Sequence, residues 1–363
     1  MAQGEYDWSR DANAIWVLKA AQQAGVERFV AFANTPPARM TISGRTNADP
    51  EQLSNLRPEM YSQFAQYLVD VVRHLQEDEG IPIGWLSPIN EPQWDWVVNG
   101  GQEGCHYEPE EAAAMTKELI RVVQENKFDV KISVFEAGEW WKTSKAYLDP
   151  LLSDPEIAPY LDHLAVHSYW SDSQDKERLI AYLDKNYPGI PVEMTEWTQM
   201  EQGRNIRIDS ALVLANTIHE DLTIGRAISW QYWVAVSKYN FHDGLIYVSL
   251  NDHEITETKR LWAMGNYSRY IRPEYQRVGV ESSLPWMKTT AFVSPDGAQL
   301  VVVVINNKDT AATLNLSGIP SEFRQMSAYQ TSAELDLAEI FLGESPQTFT
   351  FAPESVTTLV YQK

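Results

Sequence analysis

The sequence predicts an α/β chain: a parallel sheet with helices outside it from residue 10 to about 272, then a small antiparallel β-domain. Three observations carry this. Strand-like and helix-like segments alternate through the first region, the pattern of repeated βα units. After Pro273 the helical periods stop and short strand-like runs separated by turn signals take over. Two of the predicted strands, in Trp85-Leu-Ser-Pro-Ile-Asn-Glu-Pro-Gln-Trp94 and Val192-Glu-Met-Thr-Glu-Trp197, run straight into a glutamate with aromatics behind it.

Taken in order, Asp11 is placed to cap a helix carrying Ile15, Leu18 and Ala21 on one side and stopped by Gly25. Residues 28–33 read as a strand. Pro58 suits a first helical position, and Met60, Phe64, Tyr67, Leu68, Val71 and Leu75 follow at three- and four-residue spacing. A strand over 83–88 leads to a loop rich in Trp and Gly, and a helix from Pro109 presents Ala112, Met115, Leu119 and Val122. Strands at 130–135, 163–168, 191–196 and 226–233 alternate with helices over 176–183, 210–222 and 257–271. The tail offers strands at 278–281, 288–293, 299–305, 313–316, 326–330 and 355–361, with turns at Ser294-Pro-Asp-Gly297, Asn306-Asn-Lys-Asp309 and Ser317-Gly318. The domain boundary is therefore expected near residue 273, with 1–273 forming the βα domain and 274–363 the β-domain.

Composition narrows the function. The chain has 363 residues and a net charge of −21, a surface that repels phosphate backbones and anionic lipid, so nucleic-acid and membrane partners are not expected. Its one cysteine, Cys105, excludes an internal disulfide and reads as a small buried filler. No apolar run reaches the ~20 residues of a membrane span, and the first residues lack the features of a signal peptide. Thirteen Trp and 17 Tyr exceed what a core of this size needs and suit a site that stacks sugar rings, although some of them fill the sheet wall.

A strand whose C-terminal end presents a carboxylate in an aromatic cleft suits sugar-bond hydrolysis, which needs two carboxyl groups on opposite sides of one bond. In Val192–Glu196 the period-two alternation puts Val192, Met194 and Glu196 on one face, apolar residues below and the carboxylate at the mouth, with Glu193 on the other face. Glu136, in Phe135-Glu-Ala-Gly138, also follows a strand and is the rival carboxylate. No Gly-x-Ser-x-Gly elbow, His-Glu-x-x-His motif, Cys/His cluster or Gly-rich phosphate loop is present, so no metal or nucleotide cofactor is expected.

The order Asn34-Thr-Pro-Pro37, Met40-Thr41, Ser87-Pro-Ile-Asn-Glu-Pro92, Gly101-Gln-Glu-Gly-Cys105, His167-Ser-Tyr-Trp170, Met194-Thr-Glu-Trp197 and Trp230-Gln-Tyr-Trp233 resembles glycoside hydrolase family 30. The tail resembles that family's side β-domain in Phe292-Val-Ser-Pro-Asp-Gly297, Val301-Val-Val-Val-Ile-Asn306 and Ser355-Val-Thr-Thr-Leu359. The resemblance implies a (β/α)8 TIM barrel with a C-terminal β-sandwich. It also implies a secreted, periplasmic or cell-surface retaining glycosidase, with Glu91 as acid/base and Glu196 as nucleophile. Those strands should be the fourth and seventh of the barrel. Only six βα units, strands three to eight, are legible here, so the barrel is expected to be incomplete, with its opening between the strands at 28–33 and 226–233. An open barrel exposes sheet edges, so self-association or a second chain is expected to cover it.

The Gln102-Glu-Gly-Cys105 loop points to endo-β-1,6-galactanases, with β-xylanases or glucuronoxylanases as the second reading and a catalytically impaired sugar-binding protein as a third. Asn90 is the expected donor to the sugar hydroxyl beside the reacting carbon, and Tyr169 the hydroxyl that orients Glu196. Asn34, Arg39, His167 and Tyr232 are further candidate substrate contacts, and Trp94, Trp140, Trp170, Trp197 and Trp233 candidate stacking platforms. Arg39 stands where the family more usually carries Trp, and a guanidinium there could bind a uronate carboxylate.

Overall fold

The computed structural model describes residues 4–363. The alternating segments fold as two compact units, the first running through Glu196 and including Ala227–Ser229, the second holding Trp197–Arg226 and Trp230–Lys363.

In the first unit, helices α1 (Ala12–Gln23), α2 (Tyr61–Arg73), α3 (Pro109–Glu125), α4 (Lys145–Leu152) and α5 (Ser173–Asn186) alternate with five strands. These are β1 (Phe29–Phe32), β2 (Ile83–Ser87), β3 (Lys131–Ala137), β4 (Leu161–His167) and β5 (Val192–Glu196). The strands pair in parallel in the order β1-β2-β3-β4-β5, so chain order is spatial order and α2 to α5 serve as the crossovers between successive strands. This is a curled parallel sheet, part of a TIM-type barrel. Val134, Leu164, Ala165, Val166, Val192 and Met194 are buried in it, so apolar side chains fill the sheet beneath its C-terminal ends.

Several elements follow their local chemistry closely. Pro109 opens α3, Glu108 and Glu111 form a reciprocal capping box, and Ala112, Met115, Leu119 and Val122 are all buried. Pro58 opens a 3-10 turn ahead of α2, whose buried face is Phe64, Ala65, Leu68, Val69 and Val72. The expected Tyr67 and Val71 lie at the margin of that face, half-buried. Asp11 precedes α1 but makes no side-chain cap bond, and none of the residues of α1 is buried.

The strand expected over 226–233 does not form. Ile228 N donates to Val192 O at 2.9 Å and Met194 N to Ser229 O at 3.2 Å, which lays residues 227–229 beside β5 without a continuous ladder. Arg226 takes a left-handed φ of 51° and Ile228 is 62% exposed, so neither backbone nor burial extends the ladder. At the other side, β1 hydrogen-bonds only to β2 among the described residues, leaving its outer edge without a strand neighbour.

The second unit begins with α6 (Ile208–Thr223), followed by a small mixed sheet of β6 (Val236–Ser237), β7 (Ile246–Val248) and β8 (Ile255–Glu257). Helix α7 (Lys259–Ser268) is shorter than the expected 257–271 because β8 takes its first residue and the chain turns after Ser268. The fully buried Arg260 holds this region together, donating at 2.8 Å to Asn205 O, Gly244 O and the Tyr247 hydroxyl.

The remaining strands are β9 (Gln276–Val278), β10 (Met287–Val293), β11 (Gln299–Asn306), β12 (Ala312–Asn315), β13 (Gln325–Thr331), β14 (Ala338–Glu344), β15 (Thr348–Phe351) and β16 (Ser355–Gln362). They form a six-stranded antiparallel sheet, β14-β13-β16-β11-β10-β9, and the two-stranded β12-β15, over a core that includes Met287, Leu300, Val304, Met326, Phe351, Leu359 and Tyr361. The first strand of this sheet ends at Val278, where a strand was expected to start, and β14 and β15 were not foreseen.

Candidate active site

The C-terminal ends of β2 to β5 deliver four ionisable side chains to one buried place. Glu91 lies four residues past β2, Glu136 near the end of β3, His167 at the end of β4 and Glu196 at the end of β5. His167 Nδ1 sits 2.9 Å from Glu91 Oε1 and 3.8 Å from Glu196 Oε1, while its Nε2 faces Glu136 Oε2 at 3.5 Å. One ligand atom from each of Glu91, His167 and Glu196 lies within 4.8 Å of the other two, so a carboxylate oxygen of Glu91 and one of Glu196 are separated by no more than that.

Backbone conformation aims these groups. Glu91 and Glu136 both take left-handed φ values, 44° and 53°, which non-glycine residues adopt only where the surroundings hold them. Here the hold is visible. Glu91 N donates to Glu136 O at 2.9 Å, and Glu91 O accepts from the Trp96 indole at 2.8 Å and from Trp94 N at 3.3 Å. A methyl group on Gly104 would lie 2.3 Å from the Trp96 ring, so the Gln102-Glu-Gly-Cys105 loop packs directly on the side chain that holds Glu91. Cys105 itself is buried, as expected of a filler.

Electrostatics follow from crowding. His167 is fully buried, which alone would favour the neutral ring, but the charge of Glu196 and the contacts with Glu136 and Glu91 outweigh burial and raise its pKa to about 10. His167 therefore carries its proton through the neutral range. Burial raises the Glu196 carboxyl first, helped by the charges of Glu91 and Glu136 and opposed by the His167 cation and a hydrogen bond from the Tyr169 hydroxyl to Oε1 at 3.0 Å. Glu91, His167 and Glu196 are also spaced as a cation's ligands could be.

Some buried polar atoms have no hydrogen-bond partner within the protein: Asn90 Oδ1, Glu136 Oε1, Trp94 Nε1 and both amide atoms of Gln93. Such atoms are costly unless something else meets them. Glu136 Oε2 accepts from the Thr195 hydroxyl, so that carboxylate is engaged on one side only. Glu136, the expected rival carboxylate, is thus part of the cluster, whereas Thr195 and Gln93 were not among the expected site residues.

The other expected residues divide. Tyr169 and His167 join the carboxylates, and Asn90 is buried beside Glu91. Trp94 packs edge-on against Trp170 with ring centroids 5.5 Å apart, and Trp170 is 57% exposed with a left-handed φ of 47°. Asn34 is half-buried in the loop after β1. Arg39 is exposed and its guanidinium lies 5.7 Å over the Tyr67 ring on α2; none of its described contacts is with the carboxylates. Trp140 is fully buried, its indole donating to Ser168 Oγ at 3.0 Å, so it packs rather than stacks. Trp197, Tyr232 and Trp233 belong to the second unit. There Trp197 is buried against Trp230 and Tyr232, the Tyr232 hydroxyl donates to His242 O at 3.2 Å, and Trp233 is exposed.

Comparison with known proteins gives a consistent picture. Residues 1–247 match the family model "O-Glycosyl hydrolase family 30" and residues 276–359 match "Glycosyl hydrolase family 30 beta sandwich domain". Glucuronoxylanase XynC of Bacillus subtilis is 23% identical over 360 residues, covering 95% of this chain and 77% of that protein. Endo-beta-1,6-galactanase of Hypocrea rufa is 23% identical over 329 residues, covering 85% of this chain and 61% of the galactanase. A solved structure of a conserved exported protein from Bacteroides fragilis superposes with a TM-score of 0.88 at 25% identity, over 99% of this chain and 81% of that one.

Proposed function

Because the chain belongs to glycoside hydrolase family 30 and is a glycoside hydrolase acting on polysaccharide, we propose that it is a retaining endo-glycosidase using Glu91 and Glu196. The observation that carries this is the separation of the two carboxylates, oxygens no more than 4.8 Å apart. Retaining enzymes hold their carboxyls at about 5–5.5 Å, whereas inverting enzymes leave roughly 6.5–9.5 Å for a water. Glu196 attacks the anomeric carbon and forms an ester as the bond to the leaving oxygen breaks, and Glu91 gives that oxygen its proton. Water then attacks the same carbon, Glu91 takes the water's proton, and the ester bond breaks with net retention. Tyr169 steers the Glu196 oxygen through its 3.0 Å bond. The His167 cation offsets the carboxylate charge, and esterification of Glu196 removes one negative charge facing Glu91, so the same residue serves as acid and then as base.

For the substrate, β-1,6-galactan is our first choice. The motif that resembles galactanases, Gln102–Cys105, packs on Trp96 and so reaches the acid/base residue through one side chain. β-Xylan is second, supported by the similarity to a glucuronoxylanase; the uronate role of Arg39 loses support from its stacking on Tyr67. Export to the cell surface or beyond is supported by the similarity to an exported protein. Incubating the enzyme with β-1,6-galactan, unsubstituted xylan and glucuronoxylan, with NMR of the first-formed anomer, tests these points. Retained β-configuration is expected; an α-anomer at the earliest time point would refute the double displacement.

One observation favours a second reading, that this chain needs another polypeptide for full activity. Among the described residues the outer edge of β1 is unpaired, and α1 carries Trp16, 70% exposed, beside Val17. Light scattering on the active species decides it, since a monomer with full activity excludes this reading.

A further inference from the structure

Gly138 stands one residue past β3, two beyond Glu136, and its backbone is not left-handed, so nothing in its conformation calls for glycine. The space around it does. A Cβ at this position would lie 2.5 Å from Gln93 Nε2, 2.7 Å from Trp94 Nε1 and 2.9 Å from Glu91 Oε1. Gln93 Nε2 and Glu91 Oε1 are the ends of flexible side chains, Trp94 Nε1 lies in a rigid ring, and the Glu91 atom is the very oxygen that meets His167 Nδ1 at 2.9 Å.

We propose that Gly138 is a positioning residue for Glu91: the missing side chain is what lets the Glu91 carboxylate lie against His167 and within reach of Glu196. This rests on the assignment of Glu91 as the acid/base. The main chain of Glu91 is pinned by its bonds with Glu136 and Trp96, so a methyl group at 138 moves the carboxylate, not the backbone. Trp94 is braced edge-on by Trp170 and yields least, while Gln93 and Glu91 yield by rotating. The clash is therefore relieved mainly through the Gln93 and Glu91 side chains, and the chemistry absorbs the shift. The two unpartnered donors, Gln93 Nε2 and Trp94 Nε1, lie on the same small surface, so the glycine gathers three polar groups where any other residue would part them.

The test compares Gly138→Ala with Gly279→Ala, a glycine whose added Cβ meets nothing within 4 Å. kcat/KM is measured on the polysaccharide, whose alcohol leaving group needs a proton, and on the 2,4-dinitrophenyl glycoside of the same sugar, whose leaving group does not. For Gly138→Ala, which displaces the acid without removing it, kcat/KM on the polysaccharide should fall about ten- to hundredfold, part of the roughly 10²–10⁴-fold that general acid catalysis supplies, and on the dinitrophenyl glycoside less than about threefold. Tm should match the Gly279→Ala protein. A crystal structure of Gly138→Ala should show Glu91 Oε1 out of hydrogen-bond reach of His167 Nδ1. Equal losses on both substrates, or a carboxylate still seated on His167, would overturn the proposal. Glu91→Gln measured alongside separates the two claims: if it shows no such split, the acid/base assignment fails, and the crystallographic displacement alone then decides Gly138.

Discussion

The C-terminal ends of the parallel strands and the antiparallel sheet of the second unit treat buried polar groups differently. In the antiparallel sheet, Asn306 donates at 2.9 and 2.8 Å to Thr310 O and Ala352 O, Gln330 to Thr357 Oγ1 at 3.0 Å, and Thr358 to Asn266 O at 2.7 Å. Unpartnered buried atoms there, such as the Tyr361 hydroxyl and Asn266 Oδ1, are scattered rather than clustered, and left-handed Glu274 and Glu354 sit in exposed positions. At the strand ends of the first unit, left-handed Glu91 and Glu136 are buried, three carboxylates share one imidazolium, and Asn90, Gln93, Trp94 and Glu136 keep polar atoms without partners. The antiparallel sheet is arranged for stability, and the strand ends of the first unit gather polar groups for chemistry. Departures from local rules that the surroundings enforce mark the site.

If that contrast is right, substitutions in the two regions should separate activity from stability. Glu196→Gln should lower kcat roughly 10⁴-fold or more with the fold intact, the scale seen when a nucleophile is removed; circular dichroism and kcat on the polysaccharide check it. His167→Gln takes the cation from among buried carboxylates and should cost about 3–5 kcal/mol in urea unfolding, the usual penalty for orphaning a buried charge. Leu359→Ala, in the antiparallel core, should cost about 2–5 kcal/mol of stability but leave kcat per folded molecule unchanged. Tyr169→Phe removes one hydrogen bond to a charged oxygen and should cost about 1.5–3 kcal/mol in kcat/KM with no more than a small change in Tm.

Protonation sharpens the contrast further, and the signs differ for the two groups. His167 has its pKa raised from 6.5 to about 10, so its contribution to stability is complete below the unfolded value and is lost as pH rises through about 10. The Glu196 carboxyl is raised by burial and, as the proposed nucleophile, must be ionised to attack, so the acidic limb of kcat/KM should lie above the ordinary carboxylate range. In His167→Gln the opposing cation is gone, and that limb should move higher still. A limb at the ordinary glutamate value in both proteins would remove this account of the cluster.

Much of this was legible in the residues. Val192, Met194 and Glu196 alternate as a strand must, and the structure buries the first two beneath the third. The turn chemistry around Pro58 and Pro109 set helix starts correctly. What escaped lacked a local signal. Helix α4 is only eight residues long and contains Pro150. The strands β6 to β8 are two or three residues each, too short for a period to show. Strand β14 exposes much of its length, so no burial alternation announces it. Residues 226–233 have the apolar and aromatic content of a strand, yet their bonds beside β5 do not run on into a ladder. The contact of His167 with Glu91 joins residues 76 apart in the chain, and only the β2-β3-β4 order brings them together.

The central claim, that Glu196 is the nucleophile of a double displacement, is tested most directly by trapping the glycosyl-enzyme. A 2-deoxy-2-fluoro glycoside with a dinitrophenyl leaving group slows both steps but keeps the first one faster, so the ester accumulates. Proteolysis and tandem mass spectrometry should then place one fluoroglycosyl group on Glu196. A label on Glu136, on Glu193 or on Glu91, or inactivation-free turnover with inverted product, would contradict it.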